Sequence, residues 1–349
     1  MVRMTKKSMP PRRTHVVIQA PARLHMGFVD LNGGLGRRYG SLGVGLRDLY
    51  TRVVITPASD LSAAGFEAER TLGYALDLCR RLQVPPAAIE VAQTVPAHVG
   101  LGSGTQLALA VGVGLARLYG LPISARGIAR FTERGARSGV GLAVFEQGGF
   151  ALDGGRGRHE DAPPVIFQAA FPEAWRFILV LDTDAHGLHG PEELSAFERL
   201  PAFPAERAGH LCRLALMQLL PALMEQDLPG FGAALTELQQ IVGDHFAPAQ
   251  GGRFTSRRVA QALAWLERAG ATGIGQSSWG PTGFAIAGDP AQAAQLSAGA
   301  EREFGAQSGL RFLATAAANH GAAVQFGDAR AAHFDSTVGM ARRRIGART

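Results

Sequence analysis

Residues 95–108, VPAHVGLGSGTQLA, limit what this chain can fold into more than any other stretch. Residues 91–95 read as a short strand that Pro96 stops, because proline offers no ladder donor. Gly100, Gly102 and Gly104 space a tight loop, and Ser103 and Thr105 then stand at the N-cap and first turn of an amphipathic helix reaching about residue 119. A strand that turns through glycines straight into a helix leaves backbone N–H groups unpaired at the positive end of the helix dipole. Such a corner is suited to phosphate, and it also serves as an ordinary strand–helix connection. The remainder of the chain weighs between the two.

At 349 residues and 46% hydrophobic, the chain has enough apolar surface for a full core and for two domains. Its formal charge of +6 is carried by the ends. Arg3, Lys6, Lys7, Arg12 and Arg13 lie in residues 1–13, Arg342, Arg343, Arg344 and Arg348 lie in residues 336–349, and neither tail has an acid. Without those nine charges the body carries −3. The basic character therefore marks two solubilising tails rather than a nucleic-acid face, and no nucleic-acid partner is expected.

Lys6 and Lys7 are the only lysines. A Schiff-base mechanism and the lysine-bearing P-loop are thereby excluded, and any cation in a site must be Arg or His. Cys79 and Cys212 stand apart within leucine-rich helical patterns and are expected as buried small hydrophobes. No apolar run approaches the ~18 residues of a membrane span, and no apolar segment follows the basic N-terminus. These features predict a cytoplasmic protein without membrane contact.

Strands are expected over residues 15–20, 50–56, 145–152, 165–167, 175–181, 283–287 and 309–314. Helices are expected over 65–82, with Leu72, Leu76, Cys79 and Leu82 on one face, and over 124–135, 206–225, 228–242, 256–269 and 290–304. Strands and helices mix without strict alternation, which favours α+β halves over a doubly wound sheet. A boundary near residue 173 divides the chain into 14–173 and 174–335.

Three further segments carry polar groups among glycines. Residues 21–45 are glycine-dense and bring together Arg23, His25, Asp30 and Asn32, followed by Arg37 and Arg38. Each alone is an ordinary turn or hydrogen-bonding residue, but clustered beside a phosphate loop they become ligand contacts. Residues 137–149 place Arg137 and Ser138 before a glycine turn and Glu146 between Phe145 and Gln147. Residues 273–283 set Ser277, Ser278 and Thr282 around Trp279 and Gly280, a pattern shared by anion-binding nests and tight bends. A weaker segment, 182–193, holds His186 and His189 beside acids and offers metal or substrate ligands.

PARLHMG, PAHVGLGSGTQ and SSWGPTG, in this order, resemble the three motifs of the GHMP kinase superfamily over residues 14–328. The resemblance implies a two-domain α+β fold, with a ribosomal-protein-S5-like N-terminal half and a ferredoxin-like C-terminal half. The chain departs from the kinases at informative places. Gly141 stands where they carry an activating Asp, Arg23 replaces a common lysine, and Ser103-Gly104 replaces a serine pair. RLHMGFVDLNGGLGR, RSGVGLAVFEQGGF, GLHGPEE and GQSSWGPTG look instead like the β-ribofuranosylaminobenzene 5′-phosphate synthase branch, of methanopterin biosynthesis.

That likeness implies decarboxylating condensation of phosphoribosyl pyrophosphate with p-aminobenzoate or p-hydroxybenzoate, both small-molecule substrates. It also implies a homodimer, as is common among relatives. On this reading Gly100, Gly102, Ser103, Gly104 and Thr105 take phosphate, and Arg23 or Arg137 holds the ribose phosphate or the carboxylate. His25 polarises the aromatic substituent, and Asp30 and Glu146 are catalytic acids that ligate magnesium. Ser277 and Ser278 close the pocket on a phosphate, and Asn32, Ser138 and Gly280 bind substrate or phosphate. A kinase of the same superfamily and a catalytically silent sensor on the same fold remain the alternatives.

Overall fold

Two long strands, β1 (His15–Asp30) and β2 (Gly40–Pro57), form an antiparallel hairpin that organises the molecule. The computed structural model describes residues 14–327 except 134, 136, 137, 158–161, 186, 188, 189 and 306–308, and excludes the side chains of 190–192 and 194. Both basic tails and Arg137, His186 and His189 therefore lie outside the described residues.

After the hairpin come β3 (Ser62–Gly65), α1 (Ala68–Leu82), β4 (Ala87–Gln93), α2 (Ser103–Leu118), α3 (Ala125–Phe131), α4 (Val140–Glu146), β5 (Phe150–Asp153) and β6 (Val165–Ala169). The second half comprises β7 (Arg176–Asp182), α5 (Gly190–Arg199), α6 (Ala205–Leu214), a π turn (Ala215–Leu219), α7 (Leu220–Glu225), α8 (Leu228–Gln250) and α9 (Arg257–Arg268). It ends with β8 (Thr272–Gln276), β9 (Gly283–Ala287), α10 (Pro290–Phe304), β10 (Leu310–Thr315) and β11 (Ala323–Gly327).

One sheet runs β11-β1-β2-β4-β3, with β5 and β6 branching from the first part of β2. The other runs β10-β7-β9-β8. The last strand, β11, returns from the second half to the free edge of β1. No helix among the described residues is long and apolar enough to cross a membrane.

The glycine-dense segment 21–45 proves to be largely strand. β1 continues through it because its residues alternate. Ala22, Leu24 and Met26 are buried in one core, while Arg23 and His25 point to the opposite face. Register shifts at Pro21/Ala22, His25/Gly27 and Phe28/Asp30 bend the strand where it carries these polar groups. Bulges often re-aim side chains next to sites in this way.

The central helix α2 is enclosed rather than amphipathic: every residue from Gln106 to Leu118 except Arg117 is buried. Its glycines allow this close packing, since a side chain at Gly112 would meet Ile128 and one at Gly114 would meet Ile55.

Other expectations are corrected by packing. The inward face of α1 is Thr71, Ala75 and Leu78, which leaves Leu76 at the surface. Phe145 and Glu146 end a helix instead of beginning a strand. The pattern over 206–225 is one helical run interrupted by the π turn. Cys212 is exposed, its thiol 3.5 Å from the Val29 carbonyl, and Cys79 is only half-buried; both are free.

Candidate active site

β1 runs beneath the N-terminus of α2, and the backbone ties them together: the Arg23 N–H donates to the Leu101 carbonyl at 3.1 Å. The Arg23 Nη1 reaches the Gly100 carbonyl at 3.4 Å. Gly102, with φ +74°, caps α2 without any side-chain bond, so Ser103 is the first helical residue rather than the N-cap. No acid lies in the first turn of α2. Thr105 and Gln106 both donate their N–H groups to the Gly102 carbonyl, at 3.2 and 3.1 Å. Among the described residues, the N–H groups of Ser103 and Gly104 have no hydrogen-bond partner. These two, rather than that of Thr105, are the free donors of the helix end.

Gly104 has a second use that the sequence did not disclose. The Arg70 guanidinium, from α1, occupies the space that a side chain at residue 104 would fill. Tyr74 Oη accepts from Arg70 Nε at 3.1 Å, and Glu67 lies 3.6 Å from Nη1. The departure from a serine pair thus admits an arginine to the first turn of α2. A guanidinium at the positive end of a helix is electrostatically favoured only when an anion joins them.

Beside this corner is a cavity of about 240 Å³ lined by Arg23, His25, Phe28, Tyr39, Thr105, Glu133, Gly135, Ser138, Glu193, Phe197 and Ser278. Arg23 is half-buried, and its Nε is enclosed without a partner among the described residues. Burial lowers its pKa to about 10, while Glu193 and Asp153 act in the opposite sense, so it remains a cation at neutral pH.

His25 is buried, and its Nδ1 accepts the Gly27 N–H at 3.3 Å. That bond assigns the proton to Nε2, which is buried without a partner among the described residues. Burial, then the charge of Arg23, holds the imidazole pKa well below its usual value. His25 is therefore a neutral donor.

The third motif acts from behind. Ser277 Oγ donates to the Gly100 carbonyl at 2.7 Å and accepts the His25 N–H at 3.0 Å, and Thr282 Oγ1 donates to the Val99 carbonyl at 2.7 Å. Ser277 is fully buried. It braces the phosphate loop rather than facing a ligand, whereas Ser278, with φ 56°, lines the cavity. Gly280, with φ +69°, donates its N–H to the Ser277 carbonyl and serves the turn.

Ser138 lines the cavity and is held by a network missed from the sequence. The buried Asp153 carboxylate accepts from Ser41 Oγ at 2.6 Å, Ser138 Oγ at 3.2 Å, and the N–H groups of Gly139 and Gly155 at 2.8 Å each. Burial raises its pKa, and the bonds from Ser41, Gly155 and Gly139 act in the opposite sense without cancelling it.

Three predicted site residues are placed elsewhere. Asp30 Oδ1 caps a turn, accepting the N–H groups of Asn32 and Gly33 at 2.7 and 3.0 Å. Asn32 is spent on the Phe203 carbonyl and the Gly34 N–H. Glu146 is exposed at the C-terminal end of α4, opposite the end that carries Gly139 and Ser138. Arg37 binds the Gly154 and Gly155 carbonyls at 2.7 Å each and fastens the hairpin tip. The acids that do line the cavity are Glu193, the last residue of the segment 182–193 offered for metal or substrate, and Glu133, which neither glycine spacing nor periodicity singled out. No cluster of three or more potential metal ligands occurs among the described residues.

Residues 69–149 match the GHMP kinases N-terminal domain and residues 219–307 match the GHMP kinases C-terminal family. The fold is shared with mevalonate diphosphate decarboxylase from Staphylococcus aureus (TM-score 0.66, 15% identity, 89% of this chain and 98% of that one). It is also shared with homoserine kinase from Cytophaga hutchinsonii (TM-score 0.62, 17% identity, 93% and 100%).

In sequence, the chain is 32% identical to the β-ribofuranosylphenol 5′-phosphate synthase of Archaeoglobus fulgidus, over 88% of this chain and 99% of that protein. It is 33% identical to the synthase of the same name from Methanocaldococcus jannaschii, over 65% and 77%. With a cavity that joins a phosphate loop to Arg23 and a neutral His25, and with glycine at residue 141, the chain belongs to the β-ribofuranosylphenol 5′-phosphate synthase family on the GHMP kinase fold.

Proposed function

We propose that this protein joins phosphoribosyl pyrophosphate to a para-substituted benzoate, forming a C-glycoside and releasing pyrophosphate and carbon dioxide. The observation that carries this reading is the near full-length match to the Archaeoglobus fulgidus synthase. In the reaction, the anomeric C–O bond to pyrophosphate breaks as the ring carbon bearing the carboxylate forms a bond to the anomeric carbon. The C–C bond to the carboxylate then breaks, its electron pair restores aromaticity, and carbon dioxide leaves.

The site must hold an anion that gains charge, keep two carbons in contact and exclude water. The N–H groups of Ser103 and Gly104, with Arg70, face the departing pyrophosphate. Arg23 faces the carboxylate or the ribose phosphate. The His25 Nε2–H donates to an oxygen of the substrate. A donor suits a phenolic oxygen better than an aniline nitrogen, whose lone pair is drawn into the ring, and this favours the hydroxybenzoate.

Magnesium fits the donor set. Glu133 and Glu193, which both line the cavity, would supply hard oxygen ligands, and the diphosphate would provide the others. When bound, magnesium would neutralise developing charge on the leaving group. A kinase is disfavoured by Gly141, which lies against Thr105 and offers no acid to activate an acceptor.

Incubation with phosphoribosyl pyrophosphate, magnesium and carboxyl-labelled 4-hydroxybenzoate or 4-aminobenzoate tests the reading, with ATP as a parallel arm. Labelled carbon dioxide that depends on the phosphoribosyl donor is expected. ATP consumption without carbon dioxide would refute it.

A further inference from the structure

One wall of the cavity is aromatic, and nothing in the phosphate chemistry requires it. Phe28 from β1, Tyr39 at the end of the hairpin tip and Phe197 from α5 all line it. Their rings meet one another edge to face: Phe28 and Tyr39 at 6.3 Å, Phe28 and Phe197 at 6.4 Å, and Tyr39 and Phe197 at 5.2 Å. His25 joins the group, its ring 4.5 Å from that of Phe28.

Tyr39 is held there at a cost. Its φ of 70° lies in the left-handed region, which a bulky aromatic residue rarely enters and which strains the backbone. The Tyr39 N–H donates to the Asp30 carbonyl at 2.7 Å, and the Arg38 guanidinium sits 5.8 Å from the ring centroid. Backbone and side chain together hold the ring against the cavity. Strain of this kind persists only where surrounding structure imposes it, and it gathers at ligand sites.

Within the same cavity, the enclosed Nε of Arg23 and Nε2 of His25 have no hydrogen-bond partner among the described residues. Buried polar atoms seldom go unpaired. Three aromatic rings on one side and unpaired donors on the other describe a ligand with one aromatic ring and a charged or polar oxygen group. A ribose phosphate, with its hydroxyls and anionic oxygens, has no comparable use for three rings.

We infer that Phe28, Tyr39 and Phe197 form the subsite for the aromatic acid, Tyr39 and Phe197 setting the size of ring admitted, while the phosphoribosyl donor lies toward α2. This assignment rests on the reaction proposed above.

The test is isothermal titration of the full chain, with magnesium pyrophosphate present, using 4-hydroxybenzoate and 2-naphthoate in turn. The wild type is compared with Tyr39→Ala, Tyr39→Phe and Phe197→Ala, with turnover and phosphoribosyl pyrophosphate affinity measured in parallel. Loss of one edge-to-face partner predicts about tenfold weaker 4-hydroxybenzoate binding in Tyr39→Ala and Phe197→Ala, and near wild-type binding in Tyr39→Phe. Phe197→Ala enlarges the slot, so its preference shifts from 4-hydroxybenzoate toward 2-naphthoate by about tenfold, which a merely unfolded variant would not do. Unchanged 4-hydroxybenzoate affinity in both alanine variants overturns the subsite. Equal loss of acid and phosphoribosyl pyrophosphate affinity overturns it as well. Carbon dioxide release with unaltered acid binding would sink the subsite alone; acid binding as expected without carbon dioxide release would sink the reaction alone.

Discussion

Arg70 and Gly104 are a matched pair: the guanidinium fills the volume that any side chain at 104 would claim. Restoring a serine through Gly104→Ser should push Arg70 away from the first turn of α2. Arg70→Ala should remove the cation directly. Both variants are expected to raise the KM for phosphoribosyl pyrophosphate by roughly tenfold to a hundredfold, the loss of one charge-assisted contact of about 1.5–3 kcal/mol, with the KM for the benzoate nearly unchanged. Steady-state kinetics in both substrates checks this, and equal changes in the two KM values would contradict the pairing.

Ser277 ties the loop before α2 to β1 through its bonds to Gly100 and His25. Ser277→Ala leaves the buried His25 N–H unsatisfied, at a cost of about 1–3 kcal/mol, and leaves the Gly100 carbonyl only its longer contact with Arg23 Nη1. A lower Tm with reduced kcat is expected. Thermal melting followed by assay at a temperature well below the new Tm separates the two effects.

The acids divide by position. Glu146 is exposed and outside the cavity, so Glu146→Ala should keep kcat within about twofold, as most surface changes do. Asp30→Ala should lose about 1 kcal/mol of stability through its turn bonds and retain chemistry. Glu133→Gln and Glu193→Gln should instead raise the magnesium concentration needed for half-maximal rate. A magnesium titration of all four variants decides whether the cavity acids or the sequence-nominated ones matter.

His25 predicts a pH dependence with a definite sign. Its folded pKa lies well below the ordinary value of 6.5, so below 6.5 the unfolded chain binds a proton that the folded chain excludes. Stability should therefore fall as pH drops below 6.5, by at most about 1.4 kcal/mol per unit for this one group, and should be indifferent to His25 above it. In a His25→Gln variant that share of the acid slope should disappear, which urea denaturation at several pH values would reveal.

Some of this was legible in the chain and some was not, for physical reasons. The loop at 100–104 announces itself because glycine spacing and a following apolar run are local signals. β9 and α10 match their expected bounds for the same cause. The enclosure of α2 was hidden because its exposed-looking small residues serve packing by Ile55 and Ile128 from distant strands and helices. Glu133 reaches the cavity from the turn after α3, Glu193 and Phe197 reach it from α5, and Arg70 reaches the first turn of α2 from α1, so no window of sequence contains them together. Asp30 and Asn32, conversely, looked functional because turn residues and ligand residues share one chemistry, and only their hydrogen bonds tell the uses apart.

The pairing of β11 with β1 sets His15 opposite Gly327, so the two ends of the described chain are neighbours in one sheet. The second half therefore completes the first, and residues 14–173 expressed alone would present the bare edge of β1 as a template for aggregation. The same proximity makes a circular permutant natural: residues 14 and 327 joined by a short linker, with new ends opened at Leu35, whose side chain is 94% exposed at the hairpin tip.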